Sequence, residues 1–359
     1  MTMQSDFAAT AAAAPPARGS AMGPALWRNR LLLGLVGLHF CAVYATCLML
    51  GKPFSSGTVD TLVALLKLQV PLFIILLTLW RFGWVMLWLR PERPLAWFAA
   101  DLRGIVTDRD RMFTGIFAFV AMCLFASSFS VAKDLIPVIH PFSWDPAFAA
   151  LDRMLHGGVD PWRLLFPLTG TPLVTTIINA GYHLWLMLAY FLIFVACFNL
   201  TRHEKHRRYL VTDLLTWVIG GNILATIFSS VGPVYYEAFG YGADFVPLMD
   251  QLRAFNEISP VWALNVQDML LAGYLGEGGD IKGISAMPSM HVASTMTMTL
   301  YAFSVSRVFG WAMTGFLALI LVGSVQLGWH YAIDGYVSIL LVLVMWWVSG
   351  RLLRLVPNG

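Results

Sequence analysis

The chain has 359 residues, 58% of them hydrophobic and only 12% charged, with a net charge of +3 and a mean hydropathy of +0.71. Soluble domains carry about 25% charged residues, and apolar runs of 18 or more residues recur along this sequence, which excludes a soluble enzyme or a nucleic-acid-binding module. The fold class is all-α: a polytopic membrane helix bundle.

The N-terminal stretch "ATAAAAPPARGSAMGPA" is low-complexity and reads as a disordered tail over residues 1–27. It lacks a signal-peptide layout, because Arg28 and Arg30 follow it directly before the first apolar run. Apolar runs predict about eight transmembrane helices, near 31–50, 59–80, 113–132, 171–199, 210–231, 291–306, 311–330 and 334–350. The first three, within 28–132, precede a second unit over 133–353 that holds the other five. "WVMLWLRPERPLAWFAADLRG" reads as a helix lying in the cytoplasmic interface. "WDPAFAALDRMLHGGVDPW" reads as two extracytoplasmic interfacial helices split by Gly157-Gly158, with Asp152 and Arg153 as ion-pair partners. Cys41, Cys47, Cys123 and Cys197 fall inside apolar runs without metal-ligand spacing and read as buried small hydrophobes.

Basic residues set the expected orientation. With the N-terminus in the cytoplasm, Arg18, Arg28, Arg30, Arg81, Arg90, Arg93, Arg103, Arg109, Arg111, Arg202, Lys205, Arg207, Arg208, Arg307, Arg351 and Arg354 all lie inside. That leaves Lys52, Lys67, Lys133, Arg153, Arg163, Arg253 and Lys282 for the spans and the outer side. The asymmetry follows the positive-inside rule, so both termini are expected in the cytoplasm of a bacterial-type inner membrane. His291, His330 and Asp334 then meet at the outer face.

Ionisable groups at membrane depth are functional candidates. A His–Asp pair four residues apart lets the carboxylate hold one ring nitrogen and leaves the other free as base or nucleophile. A second histidine from another helix can serve as general acid. Ser289 suits a helix cap, with the first-turn amides around Met290 turned toward an anion. The same residues are also compatible with capping and packing alone. His39, His183 and Asn222 read as interhelical hydrogen-bond partners, and His203 and His206 as solvated residues of a basic loop. Asp145, Asp152 and Asp160 are too dispersed along an amphipathic segment to suggest a metal, and no cofactor is expected.

"AMPSMHVA" followed by "GSVQLGWHYAID" resembles the second and third motifs of the type 2 phosphatidic acid phosphatase superfamily, in particular its inositol phosphorylceramide synthase-like branch. The likeness covers about residues 140–350 and includes the Gly232-Pro233 turn. It implies a metal-independent phosphatase or phosphotransferase. His330 would form a phosphohistidine, Asp334 would hold its ring, and His291 would protonate the leaving group and then deprotonate the acceptor. Ser289 and Met290 would hold phosphate oxygens, and Tyr235 and Tyr236 would line the headgroup site. The implied partner is a phospholipid or a polyprenyl- or sphingolipid-type phosphate. The superfamily's first motif is not visible, and Ser324 is followed by Val325 where an arginine is usual. Lys282, Arg253, Arg153 and Arg163 are therefore the expected phosphate cations. Two other readings fit the same residues: a catalytically inactive lipid-binding member, or a transporter. The lipid, the acceptor and the oligomeric state are not encoded in any motif.

Overall fold

All regular structure among the described residues, 21–277 and 283–356, is helical in the computed structural model. Helix α1 (Met22–Leu50) leads into α2 (Gly57–Trp84), which continues through a π-helical turn at Val85–Leu89. Helix α1 begins inside the stretch expected to be tail. Its first turns are tied to the bundle: Arg28 pairs with Asp110, and Asn29 Nδ2 donates to the Thr114 carbonyl at 2.9 Å.

The tryptophan- and arginine-rich run forms α3 (Pro94–Thr107), which has no buried residue. It is clamped to α2 by Arg81, whose Nε and Nη2 donate to Asp101 at 2.9 and 2.8 Å. Helix α4 (Arg109–Ile139) is capped by Asp108, which accepts from the Arg111 amide. It packs along α1, where His39 bridges Ser128 and Asn222, each at 2.9 Å. His39 and Asn222 are thus interhelical partners, as their sequence positions predict.

The outer segment forms α5 (Asp145–Leu155) and α6 (Pro161–Thr169), and Gly157 and Gly158 break the chain between them. Helix α7 (Pro172–Phe198) follows. Helix α8 (His203–Thr216) runs on through a π-helical stretch, Trp217–Leu224, to Ile227. Helices α9 (Val246–Asn256) and α10 (Trp262–Leu275) fold from the long segment that follows α8. Helices α11 (Met290–Val305), α12 (Arg307–Gln326) and α13 (Ala332–Leu355) complete the described chain.

Seven of these helices are long and apolar enough to cross a membrane: α1, α2, α4, α7, α8, α12 and α13. The eighth expected span is α11, whose 16 residues extend only about 24 Å, short of the roughly 20 residues a bilayer core needs. It lies within the bundle. Ala293, Thr297, Met298, Thr299 and Ala302 are buried on it, and small residues of this kind let neighbouring backbones approach closely. Its hydroxyls bond back along the helix, Thr295 to the His291 carbonyl at 2.7 Å and Thr299 to the Thr295 carbonyl at 2.8 Å. A polar helix is thereby satisfied without water.

One continuous apolar core runs from Leu32 of α1 to Ile333 of α13. At one end of the bundle, Lys205 bonds the Ser304 carbonyl, and Arg208 donates to the Trp346 carbonyl at 2.8 Å. His206 is buried there, bonded to the Thr201 carbonyl and to the Tyr301 hydroxyl at 2.9 and 2.8 Å. This corrects the reading of His206 as solvated: α8 starts at His203, well ahead of the apolar run, and carries the loop residues into the bundle. The starts of α11 and α13 meet at the opposite end, where the Ser289 amide donates to the Asp334 carbonyl at 3.3 Å.

Candidate active site

Two carboxylates fix the frame of the site. Asp145, fully buried, accepts from the amides of Val231 and Gly232 at 2.9 and 2.8 Å and from the Tyr331 hydroxyl at 3.0 Å. Asp152 accepts from the first amides of α13, Ala332 and Ile333, at 2.8 and 3.0 Å, as a carboxylate at a helix N-terminus should. Burial pushes both carboxyls above the usual range, and the amide donors partly offset it. Asp152 is therefore not the partner of Arg153, contrary to the sequence reading. Arg153 pairs with Asp160 at 3.2 Å and Asp244 at 3.0 Å, because α5 presents successive side chains to different neighbours.

The Gly232-Pro233 turn brings the end of α8 against the start of α13. Gly232 has φ +88°, and a Cβ there would fall 2.5 Å from the Trp329 carbonyl oxygen. Gly232→Ala is expected to destabilise the protein by about 1–3 kcal/mol and to disturb the neighbouring His330, which a drop in thermal midpoint together with lowered activity would reveal.

His330 is 5% exposed. Its Nδ1 lies 2.8 Å from the Ala286 carbonyl and 3.4 Å from Asp334 Oδ2. A carbonyl can only accept, so Nδ1 carries a proton, and in the neutral ring Nε2 holds the lone pair. Nε2 is buried without a hydrogen-bond partner among the described residues. Asp334 also accepts from the Tyr331 amide at 3.1 Å and so caps α13 while it faces the ring. Two acceptors thus set the tautomer, where the sequence suggested one.

His291, in the first turn of α11, lies with its ring centroid 5.7 Å from that of His330. It is wedged between Tyr182 and Trp185 of α7, at 4.4 and 4.3 Å. Both histidines line a cavity of about 350 Å³ together with Met290, Tyr235, His183 and Trp329. Trp217 and Gly221, from the π-helical stretch of α8, also line it; such stretches recur at functional sites. The Trp329 indole N–H is buried with no acceptor among the described residues.

The remaining expected site residues divide. Ser289 caps α11, accepting from the Val292 amide at 3.4 Å, and is fully buried behind the cavity. Met290 lines the cavity. Tyr235 forms part of its wall and donates to the Gln267 carbonyl at 2.9 Å. Tyr236 packs instead against Phe245 and Tyr241. Arg253 pairs with Asp250 at 3.2 Å and lines a separate pocket. Arg163 pairs with Asp160 at 3.6 Å, so neither these two nor Arg153 is placed in the cavity. Lys282 lies outside the described residues. Among the described residues, Lys133 of α4 is a cation that lines the cavity, and sequence reasoning passed over it. Its one signal was a lysine near the C-terminal end of an otherwise apolar run.

The described residues hold no group of three or more histidine, cysteine, aspartate or glutamate side chains arranged for a metal. The fold and site together define an integral membrane helix bundle with a histidine pair at one end. Residues 146–348 match the PAP2 superfamily, and the chain belongs to it. No curated protein and no solved structure matches the chain. Members of the superfamily are generally phosphatases, so membership supports an enzyme of the phosphatase or phosphotransferase type.

Proposed function

We propose that the chain is a membrane lipid phosphatase or phosphotransferase that works through a phosphohistidine on His330. The observation that carries this reading is the state of His330. Its Nδ1 is committed to Ala286 and Asp334, and its unpaired Nε2 is buried beside a cavity that His291 shares.

In the first step Nε2 attacks phosphorus, the P–O bond to the leaving alcohol breaks, and its electron pair leaves on oxygen, which takes a proton from His291. In the second step His291 removes a proton from water or an acceptor alcohol, whose oxygen attacks phosphorus. The P–N bond then breaks and returns its electron pair to Nε2. The developing charge can be met by N–H donors and a cation: the Trp329 indole, the α11 amides and Lys133. The concentration of arginine and lysine at the other end of the bundle favours a site at the extracytoplasmic leaflet. The likeness to the inositol phosphorylceramide synthase-like branch favours a phosphodiester donor and a lipid acceptor.

The test is phosphate release and headgroup exchange by the purified protein across phosphatidic acid, a polyprenyl phosphate and a phosphoinositol lipid. His291→Ala is expected to lower turnover about 10²–10⁴-fold, with the loss smallest for substrates whose leaving group needs no proton, such as p-nitrophenyl phosphate. A loss equal for all leaving groups would remove His291 from the general-acid role.

A further inference from the structure

We infer that α2, α4 and α7 form a slot that measures the hydrocarbon chain of the lipid phosphate, with Leu66 on its wall and Phe73 and Phe119 at its closed end. The inference rests on the phosphoryl-transfer reading above and adds to it a chain-length selection. Helices α2 and α4 precede residues 146–348, the segment that matches the family, so much of the slot is built outside that segment.

The slot is a cavity of about 300 Å³ beside the histidine cavity. Phe129 and Lys133 of α4, Trp185 of α7 and Trp217 of α8 stand in the walls of both. Lys133 and its neighbour Asp134 give this end its charge. Farther along, Tyr190 and Asp213 interrupt a wall that is otherwise mostly apolar. Apolar cavities offer water too few partners and take up hydrocarbon instead.

The junction joins the slot to the chemistry. Trp185 donates its indole N–H to Ser294 at 2.6 Å and packs on His291 at 4.3 Å. An amphiphile whose phosphate reaches His330 brings the first part of its chain into the bundle, and the slot is apolar space that continues from there. On its other face α2 exposes Leu68, Ile75 and Leu79, so a single helix separates the slot from the bilayer.

Two helices give the slot the same length. The lining residues run from Thr58 to Phe73 on α2 and from Phe119 to Asp134 on α4, each about 22 Å at the helical rise. A carbon–carbon bond near 1.5 Å advances an extended chain about 1.25 Å, so about 17 carbons fill that length. The far end is closed by aromatic rings. Phe73, 1% exposed, meets Phe191 and Phe194 of α7 at 5.3 and 6.0 Å, and Phe119 meets Phe194 at 5.7 Å. Bilayer hydrocarbon is as apolar as this wall, so a chain gains packing rather than hydrophobic transfer. Selection therefore falls on length, through the fit at the closed end.

The experiment uses the full chain in phosphatidylcholine nanodiscs, which keep detergent chains out of the slot. The probes are octyl, dodecyl, hexadecyl and eicosyl phosphate. Hexadecyl phosphate with a diazirine at its chain end should label the peptides that hold Phe73 and Phe119, and unlabelled hexadecyl phosphate should suppress that label. Phe73 is buried, so label there requires entry, and this readout depends on no variant. In turnover, kcat/KM should rise from octyl to hexadecyl phosphate and fall for eicosyl phosphate. Leu66 lies about 12 Å along α2 from Thr58, beyond the reach of an octyl chain of about 10 Å. Leu66→Trp should overfill the slot at that depth and raise the hexadecyl-to-octyl KM ratio at least about tenfold. Label confined to bilayer-facing positions such as Leu68 and Leu79, or an unchanged KM ratio in Leu66→Trp, overturns the slot. Suppressible label at Phe73 or Phe119 without turnover of any probe would sustain the slot and sink the catalytic reading. Turnover that needs His330 and ignores chain length would do the reverse.

Discussion

Replacing His330 with alanine is expected to reduce phosphate release by at least about 10³-fold while leaving the protein folded. Loss of a covalent nucleophile removes the pathway itself, and what remains is positioning and charge stabilisation. The ring's contacts make the result interpretable. His330 gives one donor to the Ala286 carbonyl at 2.8 Å and faces Asp334 at 3.4 Å, so its removal leaves one carbonyl and one carboxylate short of a partner. That costs about 1–3 kcal/mol, visible as a lower thermal midpoint in detergent but not as unfolding. The chemical test is direct. Parent protein quenched during turnover with a ³²P-labelled lipid phosphate should carry acid-labile, base-stable label, as a P–N bond requires, and His330→Ala should carry none. Label in the alanine variant, or turnover close to the parent's, would end the nucleophile assignment.

Asp145→Ala should have the largest effect on stability, about 3 kcal/mol or more. The carboxylate takes hydrogen bonds from two backbone amides and a tyrosine hydroxyl while fully buried. Removing it strands three donors away from water, and each buried, unsatisfied donor costs about 1–3 kcal/mol. The same bonds join α5, the Gly232 turn and the start of α13, so the loss should spread to the histidine pair. Asp145→Asn, which keeps an acceptor but loses the charge, should fall between the parent and Ala in thermal midpoint. Equal midpoints for the parent and Asp145→Ala would mean that these contacts add nothing.

The helices were legible because membrane physics writes them plainly into the sequence. Each of the eight apolar runs became a helix, and the Gly-Gly break in "LHGGVDPW" did separate two helices. The ends were less legible. Helix α8 begins at His203 within a basic loop, since His206 and Arg207 are themselves buried and His206 bonds the Tyr301 hydroxyl of a distant helix, which no local pattern announces.

By itself the sequence determined that the chain is a helical membrane protein, and that two histidines and an aspartate return to one end of the bundle. Hydrophobic length sets the first, and the pairing of two consecutive apolar runs as a hairpin sets the second. Tertiary structure alone decided what surrounds them. It turned Asp152 from Arg153 to the amides of α13, gave His330 a backbone carbonyl as its nearer acceptor, and carried Lys133 from a remote helix into the cavity. Charge partners and cavity walls come from residues far apart in the chain, and only packing chooses among them.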